Sequence, residues 1–294
     1  MPPVPFDLAA LNAAIAGTEF AGHVHHLATI PSTNSFAMAA AHSGARHGVW
    51  IADEQTAGRG RGAHAWHSAS GLGLYLSALI SPSIPADRAQ QLSFLTAIAV
   101  QSAIASTFGF AVKNQIDIRW PNDLMIARPA APDGPRQPQR KVGGILIESS
   151  ANPAPPTGPA MLRFAVIGIG VNLNHTSFPA ELDAIATSIR RELPGPTRPF
   201  RREALAAAIL IALDEEIRLL IRSWRGTNNR PGRDLTSFSS WLSGKRVHVE
   251  ARDGAASYTG TTDGLDARGF LRVIADDGGT RTVLSGGLRE LSDN

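Results

Sequence analysis

The chain has 294 residues, about the length of two ordinary domains, of which 43% are hydrophobic and 18% are charged. This composition is typical of a globular protein and excludes a disordered or membrane-embedded chain. Cysteine is absent, which excludes disulfide scaffolds, cysteine-ligated metal sites and cysteine nucleophiles. The net charge of +3 is too small to indicate a nucleic-acid-binding surface. Only Lys113, Lys141 and Lys245 are lysines, so chemistry that needs a lysine has three candidates.

The N-terminal region predicts a helical lead-in over residues 1–27. Apolar residues recur at helical spacing from Phe6 to Ile15, which indicates a short helix packed on the main domain. No Lys or Arg precedes Arg46, so we expect neither a secretory signal nor a transit peptide. We therefore expect a cytoplasmic protein.

The middle of the chain alternates helix and strand patterns. Residues 32–35, Ser-Thr-Asn-Ser, precede an Ala-rich run that ends at His42, as at the N-cap of a helix. A second helix is predicted from 88 to 108, before Gly109, and its polar residues favour a buried helix over a membrane span. Runs rich in β-branched residues predict strands over 49–52, 72–80, 116–120, 142–148 and 162–171.

In the last third of the chain, the sequence pattern changes from a long helix to short strands. A helix is predicted from 202 to 225, followed by a polar connection over 226–234. From Gly244 onward the pattern is of short strands and indicates a small β-barrel. The turns of this barrel are predicted at 253–254, 263–264, 268–269 and 277–279. In the middle of the chain, two Pro-rich segments, 128–140 and 152–159, predict exposed loops. The sequence thus predicts an α+β domain over 1–235 and an all-β domain over 244–294.

A Gly/Arg loop, defined as residues 58–66, separates two of the predicted strands. Its glycines allow a ligand to approach the backbone, and Arg59 and Arg61 can bind carboxylate or phosphate oxygens. The segment therefore suits a ligand with clustered negative charge. A flexible surface loop or an RNA-binding segment remains an alternative at this point.

Three further motifs lie at predicted strand ends. Asn122 and Asp123 follow Trp120-Pro121 and can bind Mg²⁺ or a nucleotide, although a plain Asx turn is the alternative. Lys141 precedes Gly143-Gly144 and can neutralise an oxyanion, although most lysines are solvated surface charges. The segment 168–174, Gly-Ile-Gly-Val-Asn-Leu-Asn, allows close ligand approach but is not a dinucleotide fingerprint.

Several other chemistries lack their motifs. None of the nine histidines has metal-site spacing, and His23 to His26 is predicted to be strand and turn. The sequence contains no G-x-S-x-G elbow, and Gly244-Lys245 lacks the earlier glycine of a P-loop. Any ATP site is therefore not a Walker site.

Taken in order, five motifs resemble those of the biotin–protein ligases. They are S-T-N at 32–34, E-Q-T-A-G-R-G-R with a following Trp at 54–66, R-W-P-N-D at 119–123, K-V-G-G-I-L-I-E at 141–148 and G-I-G-V-N-L-N at 168–174. The resemblance extends from about residue 28 to the end of the chain. It implies a class II synthetase-like catalytic domain, with a mixed β-sheet flanked by helices, and a small SH3-like C-terminal barrel.

The resemblance also implies an activity and its partners. Biotin and ATP, with Mg²⁺, would form biotinyl-5′-AMP and pyrophosphate, and the biotinyl group would then pass to one lysine of a biotin carboxyl carrier domain of a carboxylase. This is biotin-[acetyl-CoA-carboxylase] ligase activity. No DNA or membrane partner is expected, and the chain would be a monomer or a homodimer. A transcriptional repressor role is not expected, because no helix-turn-helix segment is found ahead of the catalytic domain.

Site residues are carried over from the resemblance position by position. Lys141, Arg59 and Arg61 are expected to be catalytic, and Asp123 is expected to bind Mg²⁺ directly or through water. The residues expected at biotin are Ser32, Thr33, Asn34, Gln55, Gly58, Arg59, Gly60, Arg61, Lys141, Gly143 and Gly144. Those expected at ATP are Arg59, Trp66, Asn122, Asp123, Lys141, Asn172 and Arg289.

The departures from the family pattern and the alternatives are specific. Residues 62–65 are nearly uncharged where many relatives are basic, so weaker retention of the adenylate is expected. Lipoate–protein ligase and a non-catalytic biotin-binding regulator remain the alternatives.

Overall fold

A seven-stranded mixed sheet forms the centre of the larger part of this computed structural model, which describes residues 4–109, 116–126, 139–193, 198–225, 243–250, 256–266, 269–283 and 287–291. The strand order is β1-β2-β3-β7-β6-β5-β4. Among the strands in the described part of the chain, β1 and β2 pair in parallel and the other neighbours in this sheet are antiparallel. The strands are β1 Val24–Ile30, β2 Gly48–Gln55, β3 Gly73–Ile80, β4 Ile116–Arg119, β5 Asp123–Ile126, β6 Arg140–Ala151 and β7 Leu162–Asn172.

Helices cover both faces of this sheet. The helices are α1 Leu8–Ala14, α2 Thr33–His42, α3 Ala89–Phe108, α4 Ala180–Asp183, α5 Ile189–Glu192 and α6 Arg202–Arg225. Ala78 and Ile80 of β3 belong to the main core with α3 and α6, whereas Leu79 packs with α2 on the other face. Because successive strand side chains point to opposite faces, this alternation is what a sheet buried on both sides requires.

The long helix α3 has the length and composition of a membrane span. Of the apolar 18-residue stretch within Ala86–Phe108, 67% is buried inside the protein. Gly109 ends the helix with a positive φ of 100°, a conformation that glycine adopts without steric cost. The burial is that of a core helix, in agreement with the sequence-based prediction.

The N-terminal lead-in is only partly helical. Asp7 caps α1 by accepting a hydrogen bond from the Ala10 amide at 2.9 Å. Val24 already belongs to β1, so the strand begins inside the predicted lead-in of residues 1–27. Pairing with a neighbouring strand decides the conformation here, since β1 pairs in parallel with β2 from Val24 to Ile30.

A second, five-stranded antiparallel sheet forms the C-terminal part. Its order is β11-β10-β9-β8-β12, with strands β8 Ser243–Glu250, β9 Tyr258–Leu265, β10 Leu271–Ala275, β11 Thr280–Val283 and β12 Gly287–Glu290. The turn predicted at Asp263-Gly264 is wrong, because both residues lie within β9. Gly264 has a φ of +75° and lies within the register shift of the β9–β10 pair, between Thr262 and Leu265, so the glycine marks a bulge and not a reversal.

The remaining predictions of turns, loops and domain limits differ in outcome. The turn at 277–279 is confirmed by a hydrogen bond of 2.9 Å from the Gly278 amide to the Ala275 carbonyl. The turn predicted at 253–254, the first residue of the turn predicted at 268–269, the connection over 226–234 and most of the Pro-rich segment 128–140 lie outside the described residues. The domain limits 1–235 and 244–294 remain predictions for the same reason. The Pro-rich loop 152–159 is exposed and joins β6 to β7, as predicted.

Candidate functional site

A cavity of about 450 Å³ lies between the large sheet and the Gly/Arg loop, and we call it the inner cavity. Its wall combines the start of α2, the end of β2, the Gly/Arg loop, and β6 and β7. Predicted site residues that line it are Ser32, Thr33, Asn34, Gln55, Arg59, Gly60, Arg61, Trp66, Asn122, Lys141 and Gly144.

The start of α2 is capped from another strand and not by its own N-cap residue. Ser32 occupies the N-cap position, but its side chain makes no capping hydrogen bond. Gln55 at the end of β2 caps the helix instead, because its Oε1 accepts from the Thr33 amide at 2.8 Å. Because Gln55 caps the helix, the buried Ser32 does not serve as the cap and lies at the cavity wall.

A buried serine that the sequence analysis did not single out organises the cavity floor. Ser77 of β3 has no exposed surface, and its Oγ lies 2.7 Å from Thr33 Oγ1 and 2.5 Å from Asn34 Oδ1. Gly168 of β7 leaves room for the same amide, since a Cβ there would lie 2.2 Å from Asn34 Oδ1. Strands β3 and β7 therefore both contribute to the surroundings of the Asn34 side chain.

The Gly/Arg loop folds back on itself over the inner cavity. The Gly60 amide donates to the His64 carbonyl at 2.7 Å, and the Trp66 amide donates to the Gly58 carbonyl at 2.9 Å. Gly58 does not line the inner cavity, and its place at biotin stays a prediction. A Cβ at Gly58 would lie 2.5 Å from the Trp66 carbonyl oxygen, so glycine is required there by the packing of the loop base.

The arginines of the loop lie at the cavity mouth. Arg59 Nη2 forms an ion pair of 2.5 Å with Glu148 Oε2 on β6. Glu148 also accepts a hydrogen bond of 2.9 Å from Asn34 Nδ2. Arg61 borders both the inner cavity and a neighbouring cavity that reaches Gly269 and Phe270 of the second sheet.

A second, larger cavity lies on the far side of Trp66 and Lys141, and we call it the outer cavity. Lys141 Nζ lies 2.6 Å from Asp123 Oδ1 and 5.4 Å from the centroid of the Trp66 ring. Trp66 and Lys141 line both cavities, whereas Asp123 and Asn172 line only the outer one. Lys141 is thus at the junction of the two.

The outer cavity is bordered by an aromatic pair that the sequence analysis missed. The His175 ring stacks on Phe178 with centroids 4.9 Å apart, and Phe178 lines the cavity. Burial, together with the nearby His67, lowers the pKa of His175 to about 4. Neither ring nitrogen of His175 has a hydrogen-bond partner among the described residues, so the neutral ring packs as a hydrophobic group.

Glycines on β6 and β7 have different tasks. Gly143 was predicted at a ligand, but it is buried and does not line the inner cavity. A Cβ at Gly143 would lie 3.0 Å from Leu124 and 3.1 Å from the Gly170 carbonyl oxygen, so this glycine serves sheet packing. Gly144 and Gly170 instead make room for Trp66, whose ring atoms would lie 3.1 and 2.5 Å from Cβ atoms there.

Two more predicted residues have distinct positions. Asn122 lies between the inner cavity and the neighbouring cavity, and its Nδ2 donates to the Ile145 carbonyl at 2.9 Å. Arg289 is exposed on β12 and lines none of the cavities described above. The structure does not bring Arg289 to the other site residues. The second sheet approaches the site elsewhere, through a hydrogen bond of 3.2 Å from Trp120 Nε1 to the Gly269 carbonyl.

Comparison with known proteins identifies two matching families along the chain. Residues 27–172 match the Biotin/lipoate A/B protein ligase family, and residues 242–287 match the Biotin protein ligase C terminal domain. The chain is 32% identical over 265 residues to the bifunctional ligase/repressor BirA of Bacillus spizizenii, covering 89% of this chain and 72% of the relative. It is 31% identical over 259 residues to the biotin–[acetyl-CoA-carboxylase] ligase of Mycobacterium tuberculosis, covering 87% and 84%.

Solved structures confirm the architecture. The biotin protein ligase from Aquifex aeolicus, in complex with biotin and ATP, aligns with a TM-score of 0.66 and 21% identity. The alignment covers 92% of this chain and 100% of that chain. At this identity the likeness concerns the fold. It confirms the predicted mixed sheet flanked by helices with an additional C-terminal β-sheet domain.

Proposed function

Because the chain belongs to the biotin protein ligases, we propose that it activates biotin with ATP and transfers the biotinyl group to a protein lysine. The family membership rests on the relatives that match at 31–32% identity over most of both chains. In the first step a carboxylate oxygen of biotin attacks the α-phosphorus of ATP, and pyrophosphate leaves. In the second step the acceptor amine attacks the carbonyl carbon of biotinyl-5′-AMP, and AMP leaves.

The observation that carries this proposal is the position of Lys141 between the two cavities. The attacking carboxylate and the α-phosphate are both anions, so a fixed cation where they meet lowers their repulsion and stabilises the transition state. Lys141 lines the inner and the outer cavity at once. One ammonium group can therefore contact the anionic ends of two ligands that occupy separate cavities.

The inner cavity fits the biotin head group. A ureido group offers two N–H donors and one carbonyl acceptor, and the floor of the cavity presents hydroxyl and amide groups of Ser32, Thr33 and Asn34. Gln55 holds Thr33 in place, because its Oε1 accepts hydrogen bonds from the Thr33 amide and hydroxyl. Arg59, Gly60 and Arg61 lie at the mouth, where the carboxylate end of biotin would extend.

The outer cavity fits the nucleotide. Trp66 and Phe178 provide aromatic surfaces for the adenine, and Asn172 and Asp123 provide polar groups at the same wall. Asn122, in the turn between β4 and β5, lines the inner cavity. We expect the phosphates of ATP to lie close to it. Arg289 stays a prediction for the ATP site, and no contact among the described residues supports it.

Mg²⁺ fits this site only as a partner of the nucleotide. Among the described residues no group of three or more His, Asp or Glu side chains could enclose a metal ion. Mg²⁺ prefers one or two carboxylates together with substrate phosphates, and Asp123 supplies one carboxylate beside Lys141. The ion would neutralise phosphate charge when ATP is bound. Asp123 would contribute an oxygen directly or through water.

The chain's own residues perform the remaining tasks. The Gly/Arg loop covers the inner cavity and would exclude water from biotinyl-5′-AMP, a mixed anhydride that water destroys. The same loop must open for the acceptor lysine to enter. No nucleophilic side chain is needed, because the attacking groups belong to biotin and to the acceptor.

For the acceptor we propose the lysine of a biotin carboxyl carrier domain of a carboxylase, in the cytoplasm. The relative from Mycobacterium tuberculosis, a biotin–[acetyl-CoA-carboxylase] ligase, supports this choice. The test incubates the purified chain with biotin, ATP, Mg²⁺ and a separately purified carrier domain. We expect a mass increase on one carrier lysine that requires both biotin and ATP.

Two control arms separate the alternatives. Lipoate in place of biotin should give no transfer, and equal transfer of both acids would contradict the assignment of biotin. Biotin binding without biotin-dependent pyrophosphate exchange would instead indicate a non-catalytic binding protein.

A further inference from the structure

Glu148 on β6 contacts two residues of the proposed biotin site without lining the cavity itself. Its Oε2 accepts from Asn34 Nδ2 at 2.9 Å and from Arg59 Nη2 at 2.5 Å. Asn34 belongs to the cavity floor and Arg59 to the covering loop. One carboxylate therefore connects two parts of the site that are distant in sequence.

We infer that Glu148 is a positioning residue with two tasks, an inference that rests on the proposed function. Its first task is to fix the orientation of the Asn34 amide. Its second task is to bind Arg59 in the ligand-free protein, until the carboxylate of biotin replaces Glu148 as the partner of Arg59.

The first task follows from the chemistry of the amide. A carboxylate only accepts hydrogen bonds, so Glu148 requires the NH₂ end of Asn34 to point toward β6. The other end, Oδ1, then accepts from Ser77 Oγ at 2.5 Å. A flipped amide would place Oδ1 against the carboxylate and NH₂ against the hydroxyl. Since Asn34 is buried, this choice decides which polar atoms the cavity floor offers to a ligand.

The second task follows from exposure and charge. The Arg59 side chain is 45% exposed and the Glu148 side chain 26%, so the ion pair contributes little, at most about a fivefold change in an equilibrium. A weak ion pair holds the loop over the inner cavity and is displaced by an entering anion at small cost. Glu148 thus competes with the substrate for Arg59.

The two tasks predict opposite effects for two substitutions. In Glu148→Gln, the side-chain oxygen still accepts from Asn34, but the competing charge is lost. We expect the biotin KM in pyrophosphate exchange to fall, by up to about fivefold, and trypsin cleavage after Arg59 or Arg61 in the ligand-free protein to accelerate by a similar factor. In Glu148→Ala, Asn34 Nδ2 loses this acceptor and keeps the more distant Leu146 carbonyl at 3.4 Å, so we expect the biotin KM to rise roughly tenfold or more.

A matched control comes from the second sheet. Asp276 receives hydrogen bonds of 2.6 and 3.1 Å from Arg246, and Asp276→Asn should change neither measurement. Unaltered circular dichroism of Glu148→Gln shows that it folds, and this isosteric variant decides the question if Glu148→Ala does not fold.

The outcomes are distinguishable. A rise in KM for Glu148→Gln as large as that for Glu148→Ala would overturn the competition, and a parental KM for Glu148→Ala would overturn the orienting task. Unchanged loop cleavage in ligand-free Glu148→Gln would overturn the contact with Arg59. Absence of biotin-dependent exchange in the parental chain would instead reject the proposed function, while the ligand-free cleavage still tests the Arg59 contact.

Discussion

At the scale of single residues, two lysines with the same exposure have different surroundings. The side chains of Lys141 and Lys245 are both 34% exposed, and both form ion pairs with a carboxylate, at 2.6 and 3.2 Å. Lys141 lies between the two cavities, whereas Lys245 lies on β8 of the second sheet. Exposure and pairing alone would not separate them. Their location does.

We predict that Lys141→Ala lowers the rate of adenylate formation roughly 10²–10³-fold, the typical effect of removing one group that stabilises transition-state charge. Biotin-dependent pyrophosphate exchange measures this step. Lys245→Ala is the matched control and should retain the parental rate. Near-normal exchange in Lys141→Ala would remove this lysine from the mechanism.

A hydroxyl group in the cavity floor has a measurable role. Ser77→Ala removes the Oγ that contacts Thr33 and Asn34, and it leaves the buried Asn34 Oδ1 without that donor. We predict a stability loss of about 1–3 kcal/mol and weaker biotin binding, measured by urea unfolding and calorimetry. Ser81→Ala, which removes an exposed hydroxyl just after the same strand, should change both quantities much less. Equal effects of the two substitutions would contradict this role.

At the scale of elements, periodic segments could be predicted and single contacts could not. Helix α6 has its predicted limits, because its apolar residues recur at helical spacing. Helix α3 begins one residue later than predicted, because a long apolar run without Gly or Pro that ends at Gly109 also indicates a helix. The roles of Ser77 and Glu148 could not be predicted, because each is one polar residue in a strand pattern. Glu148 meets its partner Asn34 across 114 residues of sequence. Such a contact depends on strand order.

Strand β7 provides a test of how the sheet shapes the outer cavity. A Cβ at Gly170 would lie 2.5 Å from the Trp66 ring, so Gly170→Ala must displace this ring. We predict a raised KM for ATP, roughly tenfold, in steady-state pyrophosphate exchange, since overpacking of this kind typically costs 1–3 kcal/mol. Gly17→Ala is the control, because a Cβ there has no neighbour within 4 Å. An unchanged KM in Gly170→Ala would separate Trp66 from nucleotide binding.

The Gly/Arg loop provides a second test at this scale. The ion pair that joins Arg59 of this loop to β6 is partly exposed, so the loop should open readily without ligand. We predict that biotin with ATP slows trypsin cleavage after Arg59 and Arg61 several-fold. Lipoate with ATP is the control. Equal cleavage with and without biotin would show that the loop does not respond to the ligand.

At the scale of the whole molecule, a buried histidine couples stability to pH. Burial lowers the pKa of His175 to about 4, below its usual value near 6.5. The unfolded chain therefore binds more protons than the folded chain between these values, so stability is complete above pH 6.5 and falls as the pH drops toward 4. At pH 5 the loss from this residue is about 2 kcal/mol.

Urea unfolding at pH 7.5 and pH 5 measures this coupling. We predict that the parental chain loses more stability than His175→Phe between the two values, because phenylalanine does not titrate and can still stack on Phe178. Comparing the two proteins cancels the other groups that titrate in this range. Identical losses would show that His175 is not the coupled group.

The central position of β7 also has a consequence for the order in which the site can assemble during synthesis. The polar residues of α2 and β2 leave the ribosome early, but β3 must wait for β7, its partner from Gly73↔Asn172 to Ile80↔Ala165. At about 5–20 residues per second, roughly 6–23 s separate the emergence of Gln55 from that of Asn172. A nascent chain cannot bind ligand in the inner cavity before then. Truncated chains that stop before residue 162 would present the motif residues without a site.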